Sequence, residues 1–193
     1  LTEDRLLKGK KIIVTAGGTK EQIDLVRFIG NHSSGKMGIA IADAACRHGA
    51  DVTLIATFDT KKPYRTIVAA STQDMLSEVK QAFMNADALI MAAAPADFRV
   101  EKINEQKIKK EDTDELILKL IKNPDILKEI SNIKKNNQLV IGFCAESENL
   151  VENAKKKIKS KNLDFIVAND ISSKEIGFNS DLNEVKIIDK SNN

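Results

Sequence analysis

Apolar positions along the chain gather in short unbroken runs set apart by longer amphipathic stretches. The first run, 11–16 (KIIVTA), is rich in β-branched residues and ends in Gly17-Gly18, which predicts a buried strand leading into a tight turn. Runs 51–56 (DVTLIA), 87–94 (DALIMAAA), 138–143 (QLVIGF) and 164–168 (DFIVA) have the same character. A further run, 184–188 (EVKII), alternates more and reads as an edge or hairpin strand.

Helical spacing fills the intervals. Residues 36–48 place small and apolar side chains at helical intervals, with Gly49 as the residue just past the helix end. An amphipathic stretch over 72–85 starts at Ser71/Thr72. Residues 124–135 follow Asn123-Pro124-Asp125, an N-cap, a proline at the first helical position and an acid in the first turn. Residues 147–161 are helical and basic toward their end. Strand alternating with helix at this spacing predicts an α/β fold around a mostly parallel sheet with right-handed crossovers. The stretch 100–115 breaks the pattern: it is polar, charged and aperiodic, and reads as a long mobile loop of the kind that serves as a lid.

With 193 residues, the chain suffices for one sizeable domain spanning 1–193. Its 30 basic and 28 acidic residues leave a net charge of +2, so no general nucleic-acid or membrane surface is expected and any positive field must be local. No apolar run reaches transmembrane length. The opening LTEDRLLKGKK is too charged for a secretory core, and its end at Ser191-Asn192-Asn193 shows no closing helix. Two widely separated cysteines, Cys46 and Cys144, and only two histidines argue for a reducing cytoplasm and against a disulfide scaffold or a tightly held zinc ion.

In an open parallel sheet, ligands bind beyond the carboxyl ends of the strands. The segments expected there are Gly17-Gly18-Thr19, Ala94-Pro95-Ala96-Asp97, Phe143-Cys144-Ala145-Glu146 and Asn169-Asp170. The first turn lacks GxGxxG spacing, and a plain tight strand exit explains it equally well. Asn31-His32-Ser33-Ser34-Gly35-Lys36-Met37-Gly38 says more. It supplies two hydroxyls, two glycines and a lysine immediately before a helix, where free N–H groups and the helix dipole make an anion site. Simple capping by Ser33 or Ser34 is the plainer alternative. Asn31 offers an amide donor to a carboxylate or an acyl-transfer oxyanion, with Arg27 four residues upstream, although turn formation alone would also explain it. Asp97 suits ribose hydroxyls or a metal, or else is a surface carboxylate. Lys107, Lys109 and Lys110 in the loop and Lys157 and Lys161 on one helical face would, if not merely solvated, converge on a triphosphate. His32 reads as a loop hydrogen-bonder, and His48 suits the dipole at its helix end.

VTAGGTKEQIDLVRFIGNHSSGKMG, AAAPADFR, KIKK, LIKNPDIL, VIGFCAES and KNLDFIVANDIS…GFNSDLNEV occur in that order over residues 12–188. Together they closely resemble the phosphopantothenate–cysteine ligase domain of bacterial and archaeal coenzyme A biosynthesis. The resemblance implies a Rossmann-like three-layer αβα fold and a homodimer. It implies CTP-dependent, Mg²⁺-assisted activation of 4′-phosphopantothenate as an acyl-cytidylate, with the ion carried mainly by the triphosphate. L-cysteine then forms the amide, and CMP is released. It also implies that Asn31 handles the acyl-cytidylate, that Arg27 binds the acyl substrate and that Lys107 closes over the reaction centre. By the same carry-over Ala93 and Phe143 contact the cytosine, and Asp97 the ribose. Pro124, Asp125, Ile126, Leu127, Lys157 and Lys161 would hold the phosphates, beside the Gly17, Ser33 and Gly35 turns. Cys46 and Cys144 would be structural, the reacting thiol compound being substrate.

Many bacterial relatives carry a flavin-dependent decarboxylase upstream, so fusion to or association with one is implied, and LTEDRLLKG has the look of an interdomain remnant. AGGT stands where AGPT is common, in a turn where the change should matter little. An ATP-using ligase of the same kind remains an alternative, because base choice depends on backbone groups near Ala93 and Phe143. A nicotinamide oxidoreductase is the more distant rival, disfavoured by the first turn and by Ile55-Ala56-Thr57, which lacks the acid expected at the end of the second strand. A non-catalytic nucleotide sensor would need the binding residues but neither Asn31 nor Lys107.

Overall fold

The computed structural model describes residues 5–109, 115–146, 149–170 and 184–191. In chain order the elements are β1 (Lys11–Ala16), β2 (Lys20–Gln22), β3 (Phe28–Gly30), α1 (Lys36–Arg47), β4 (Asp51–Ala56), β5 (Arg65–Val68) and α2 (Thr72–Phe83). Then follow β6 (Ala88–Met91), β7 (Phe98–Val100), β8 (Leu120–Lys122), α3 (Ile126–Ser131), β9 (Leu139–Glu146), α4 (Leu150–Ser160), β10 (Phe165–Asp170) and β11 (Val185–Asp189). The main sheet has the order β11-β10-β9-β6-β1-β4-β5. Its pairs are parallel except β10 with β11, so the alternating C-terminal run is indeed an antiparallel edge strand.

Why the central strands are continuously apolar follows from the layers. Residue 13 of β1 faces one layer, with Met75, Val79 and Phe83 of α2, Ile130 of α3 and Ile158 of α4. Residues 12 and 14 face the other, with Ala42 and Ala45 of α1. Both faces of the sheet are covered, and neither can be polar. The expected three-layer αβα arrangement is what forms. Each large side chain fully buried here, such as Phe83 or Leu89, contributes roughly 1.5–3 kcal/mol. On the α1 side the contact is unusually close: a Cβ at Gly38 would lie 2.6 Å from the Thr15 carbonyl oxygen. Small residues in α1 therefore let the helix lie directly on the end of β1.

Several boundaries differ from the sequence reading. The helix expected over 124–135 is the six-residue α3, and its N-cap is Asp125, which accepts from Lys128 N, not Asn123. Asn123 is drawn elsewhere: its Nδ2 donates to Ala96 O at 2.8 Å and its Oδ1 accepts from Arg99. Strands β9 and β10 run further than the apolar runs, so residues 143–146 and 169–170 lie inside strands, not after them. Helix α4 runs from Leu150 to Ser160 behind Asn149 in a left-handed conformation, and residues 147 and 148 of the expected helix lie outside the described residues. Lys161 is its C-cap, one step past the helix. Neither Ser33 nor Ser34 caps α1; that position is Gly35 at φ 79°. The short edge strand β5 and the antiparallel ribbons β2–β3 and β7–β8 have no counterpart in the apolar pattern. Gly49, at φ +89°, closes α1 as expected, and Ser71 forms a full capping box with Asp74 at α2.

Candidate active site

The chain leaves β1 through α1 toward β4 on one side, and returns through α2 to β6 on the other. The carboxyl ends of β1 and β6 are thus the switch point, where divergent crossovers open a crevice for a ligand. Two turns meet there. Ala94 N donates to Gly17 O at 2.9 Å, Thr19 N donates to Ala94 O at 3.2 Å, and Gly18 bridges Ala94 in parallel register. Gly17 has φ +90°, and a Cβ there would sit 2.2 Å from Thr57 Oγ1. Only glycine serves at that turn.

Two buried threonines pin the second turn from below. Thr15 Oγ1 accepts from Ala93 N at 3.0 Å, and Thr19 Oγ1 accepts from Ala96 N at 2.8 Å. Asn123 holds the far side through Ala96 O, and its own N donates to Asp97 O at 2.8 Å. The stretch Ala93–Asp97 is therefore fixed by hydrogen bonds along its length, with the Asp97 side chain left exposed. Sequence reasoning passed over Thr15, because a hydroxyl inside an apolar run carries no outward mark of what it bonds, and it placed Thr19 and Asn123 only as part of a strand exit and as a helix cap.

Asn31 joins this rim from the other loop. Its Nδ2 donates to Pro95 O at 3.1 Å and to Ala94 O at 3.3 Å. Flipping the amide would set Oδ1 against two carbonyls, so the orientation is physically fixed. Both amide hydrogens face these carbonyls, and Oδ1 has no partner among the described residues. Ser33 O accepts from Gly18 N at 3.3 Å, and the buried Gly35 approaches Gly17 so closely that a Cβ would meet its N at 3.2 Å. Gly17, Asn31, Ser33, Gly35, Ala93 and Asp97 thus share one rim, beside the N-terminus of the twelve-residue α1.

A second group adjoins it through Asn123. Pro124 and Asp125 follow directly, and Asp125 Oδ2 pairs with Lys161 Nζ at 2.9 Å. Ile126 and Leu127 are 3% and 8% exposed and packed in the core, so only their backbone N–H groups are available to a phosphate. Phe143 is half-buried in β9, and Lys157 half-buried on α4.

Arg27 and Lys107 form a third group. Arg27 Nη2 donates to Ile108 O, next to Lys107, and Arg27 lies 3.4 Å from the Asp24 carboxylate. Arg27 and Asn31 flank β3, so the hairpin connects this group to the rim. Burial pushes the Asp24 carboxyl up, but the N–H groups of Val26, Arg27 and Ile108 and the Arg27 guanidinium outweigh it. Its pKa lies below the usual carboxylate range. Lys110 lies outside the described residues. Exposed Lys107 and Lys109 sit in a segment without regular structure that is nonetheless tied down, Asn104 N to Ile23 O at 2.9 Å and Glu101 N to Lys119 O at 2.9 Å.

Among the described residues no group of three His, Cys, Asp or Glu side chains could cage a metal ion. A Mg²⁺ ion carried on phosphates keeps most of its waters and takes one or two carboxylates at most. Exposed Asp97 on the rim is such a carboxylate. Cys46 is half-buried and Cys144 buried, and no disulfide joins them. No described helix is long and apolar enough to cross a membrane.

Residues 7–193 match the model of the DNA/pantothenate metabolism flavoprotein C-terminal domain. The chain is 45% identical over 184 residues to the coenzyme A biosynthesis bifunctional protein CoaBC of Haemophilus influenzae, covering 94% of this chain and 46% of that protein. The chain spans about half the length of the curated relatives it matches. Among solved structures, the C-terminal domain of a coenzyme A biosynthesis bifunctional protein CoaBC superposes with a TM-score of 0.81 at 38% identity, over 99% of this chain and 86% of that one. A Cab2 H337A mutant in complex with phosphopantothenate-cysteine superposes at 0.77 over 95% and 77% of the two chains; at 17% identity it supports the fold alone.

Proposed function

The chain belongs to the DNA/pantothenate metabolism flavoprotein C-terminal domain family, and from that premise we propose that it is a phosphopantothenate–cysteine ligase. Membership in a coenzyme A biosynthesis family supports the ligase class, and the rim at the β1/β6 switch point is the observation that carries the reading. Two anions must meet there, a carboxylate and a nucleoside triphosphate. Backbone N–H groups and the positive end of α1 offset their repulsion.

The carboxylate oxygen of 4′-phosphopantothenate attacks the α-phosphorus of CTP, and pyrophosphate leaves. The L-cysteine amine then attacks the acyl carbon of the acyl-cytidylate, losing a proton as CMP departs. Mg²⁺, when bound to the triphosphate, would neutralise charge on the leaving pyrophosphate. Backbone groups of the Ala93–Asp97 turn are suited to the base, with Phe143 beside it and Asp97 toward the ribose. The N-terminus of α3 and Lys161 suit the phosphates, Lys161 exchanging Asp125 for the incoming anion. Asn31 Oδ1 is the acceptor for the N–H of the attacking amine. Lys107 approaches the anionic centre from its loop.

Pyrophosphate release, measured with Mg²⁺, 4′-phosphopantothenate and each nucleoside triphosphate in turn, tests the assignment. Release with CTP is expected, followed by CMP and phosphopantothenoylcysteine once cysteine is added. Release with ATP alone would shift the base preference, and none with any triphosphate would overturn the ligase. Lys107→Gln removes one charge-assisted contact to the reaction centre and should cut turnover about 10–100-fold, with unfolding unchanged. An unaltered rate would show that Lys107 is a bystander.

A homodimer is part of the proposal. Leu25, Val26 and Phe28 on the β2–β3 hairpin are 75%, 60% and 50% exposed, and Phe98 and Leu120 on the adjoining ribbon 44% and 42%. Exposed apolar side chains gathered on two adjoining ribbons mark an association site. Light scattering should give twice 21.3 kDa, and the monomer mass would count against it. Two cysteines with no disulfide between them suit a cytoplasmic setting. A flavin-dependent decarboxylase, fused or associated, is the proposed partner activity.

A further inference from the structure

We propose that Asp24 is a positioning residue for Lys107, acting with Arg27 as a latch that fixes the loop backbone beside that lysine. The inference rests on the ligase reading above for the importance of Lys107, but the latch itself stands on geometry.

Asp24 sits in the turn of the β2–β3 hairpin and is 1% exposed. Its two oxygens divide their work. Oδ1 accepts from Val26 N and Arg27 N, both at 2.8 Å, which closes the turn in the manner of an Asx motif. Oδ2 is surplus to the turn, and it accepts from Ile108 N at 3.1 Å, across 84 positions of sequence. Arg27 completes the grip by donating to Ile108 O, while its Nε faces Asp24 Oδ2 at 3.4 Å. Both backbone polar groups of Ile108 are thus held by one acid–base pair. Asn104 N, bonded to Ile23 O at 2.9 Å, adds a second tie four residues upstream. Lys107 lies between the two ties, so its Cα has little freedom even though its side chain is exposed.

This division makes a selective test available. An amide at position 24 keeps one acceptor oxygen. With that oxygen toward Val26 and Arg27 the turn survives, and the amide NH₂ then faces two donors, Ile108 N–H and Arg27 Nε–H. Asp24→Asn therefore releases the loop more than the hairpin. A residue that acts by placing Lys107 should lose its importance once Lys107 is gone.

The expected results are these. In the full chain, Asp24→Asn lowers kcat on the order of 10–100-fold with only a small change in the KM for CTP, as misplacement of a reacting group does. In a Lys107→Gln background the same substitution causes no further loss. Trypsin, with cleavage after Lys107 and Lys109 followed by mass spectrometry, cuts Asp24→Asn faster than the parent protein. Equal losses in both backgrounds would make Asp24 merely structural, and unchanged cleavage would show that it does not hold the loop. If the parent chain releases no pyrophosphate, the ligase reading fails, and the cleavage comparison alone decides the latch.

Discussion

Asn31→Asp is expected to slow amide formation on the order of 10²–10³-fold, the scale of losing one preorganised polar group at a reacting centre. Two effects add. An aspartate oxygen in place of Nδ2 would face Ala94 O and Pro95 O, which now accept its hydrogens at 3.3 and 3.1 Å, so the strap across the rim becomes a repulsion. A negative charge would also stand beside an anionic acyl-cytidylate. Pyrophosphate release with CTP should fall less than amide formation, because Oδ1 is assigned to the amine that enters second. Quench-flow measurement of both products separates the steps. Equal slowing of both would move Asn31 to the activation step, and wild-type turnover would remove it from the site.

Asp164→Asn should cost about 1–3 kcal/mol of stability, the scale for leaving a largely shielded polar group without its partner, because Lys190 is half-exposed. Asp164 stands just before β10, at the opposite end of the strands from the rim. Its Oδ2 accepts from Val140 N at 2.7 Å and from Lys134, while Lys190 Nζ lies 2.5 Å from Oδ1. The Lys134 side chain is only 8% exposed, so its charge cannot simply turn to water. Burial pushes the Asp164 carboxyl up, but Lys134, Lys190 and the Val140 N–H outweigh it and hold the pKa below the ordinary value. A carboxyl depressed on folding contributes stability above about pH 4, lost as pH falls through its folded value. Lys190 is raised, chiefly by its hydrogen bond to Asp164, so its share is lost only as pH rises through the lysine range. Urea unfolding should therefore show a gap between parent and Asp164→Asn near pH 7 that narrows below about pH 4. A gap under about 1 kcal/mol at pH 7 would mean that water solvates the cluster as it does surface pairs.

How far the sequence is legible follows from what each element depends on. Strands β1 and β4 match their apolar runs residue for residue, because a strand covered on both faces is apolar along most of its length and a buried hydroxyl such as Thr15 must be hydrogen-bonded. The ribbons β2–β3 and β7–β8 are three-residue pairs whose existence depends on partners, not on periodicity. The Asn123 cap failed for a related reason: cap propensity is local, whereas Ala96 O and Arg99 compete for the same side chain from β7 and its approach. Gly17, Asn31, Ser33, Gly35 and Asp97 were legible as candidates because they follow strand ends or precede a helix. Thr15 and Asp24 were not, nor was the bond that Thr19 makes to Ala96 N. Their roles depend on residues 76 to 84 positions away, and nothing in a single acid or hydroxyl announces such a partner.

The central claim is that the rim joins a carboxylate to the α-phosphorus of a nucleotide before any amine enters. Phosphopantothenate labelled with ¹⁸O in its carboxylate, turned over with CTP and cysteine, tests it most directly. Label appearing in the phosphate of CMP, one oxygen per turnover, is the result predicted. Label in inorganic phosphate with CDP as co-product, or an unlabelled nucleotide, would contradict it.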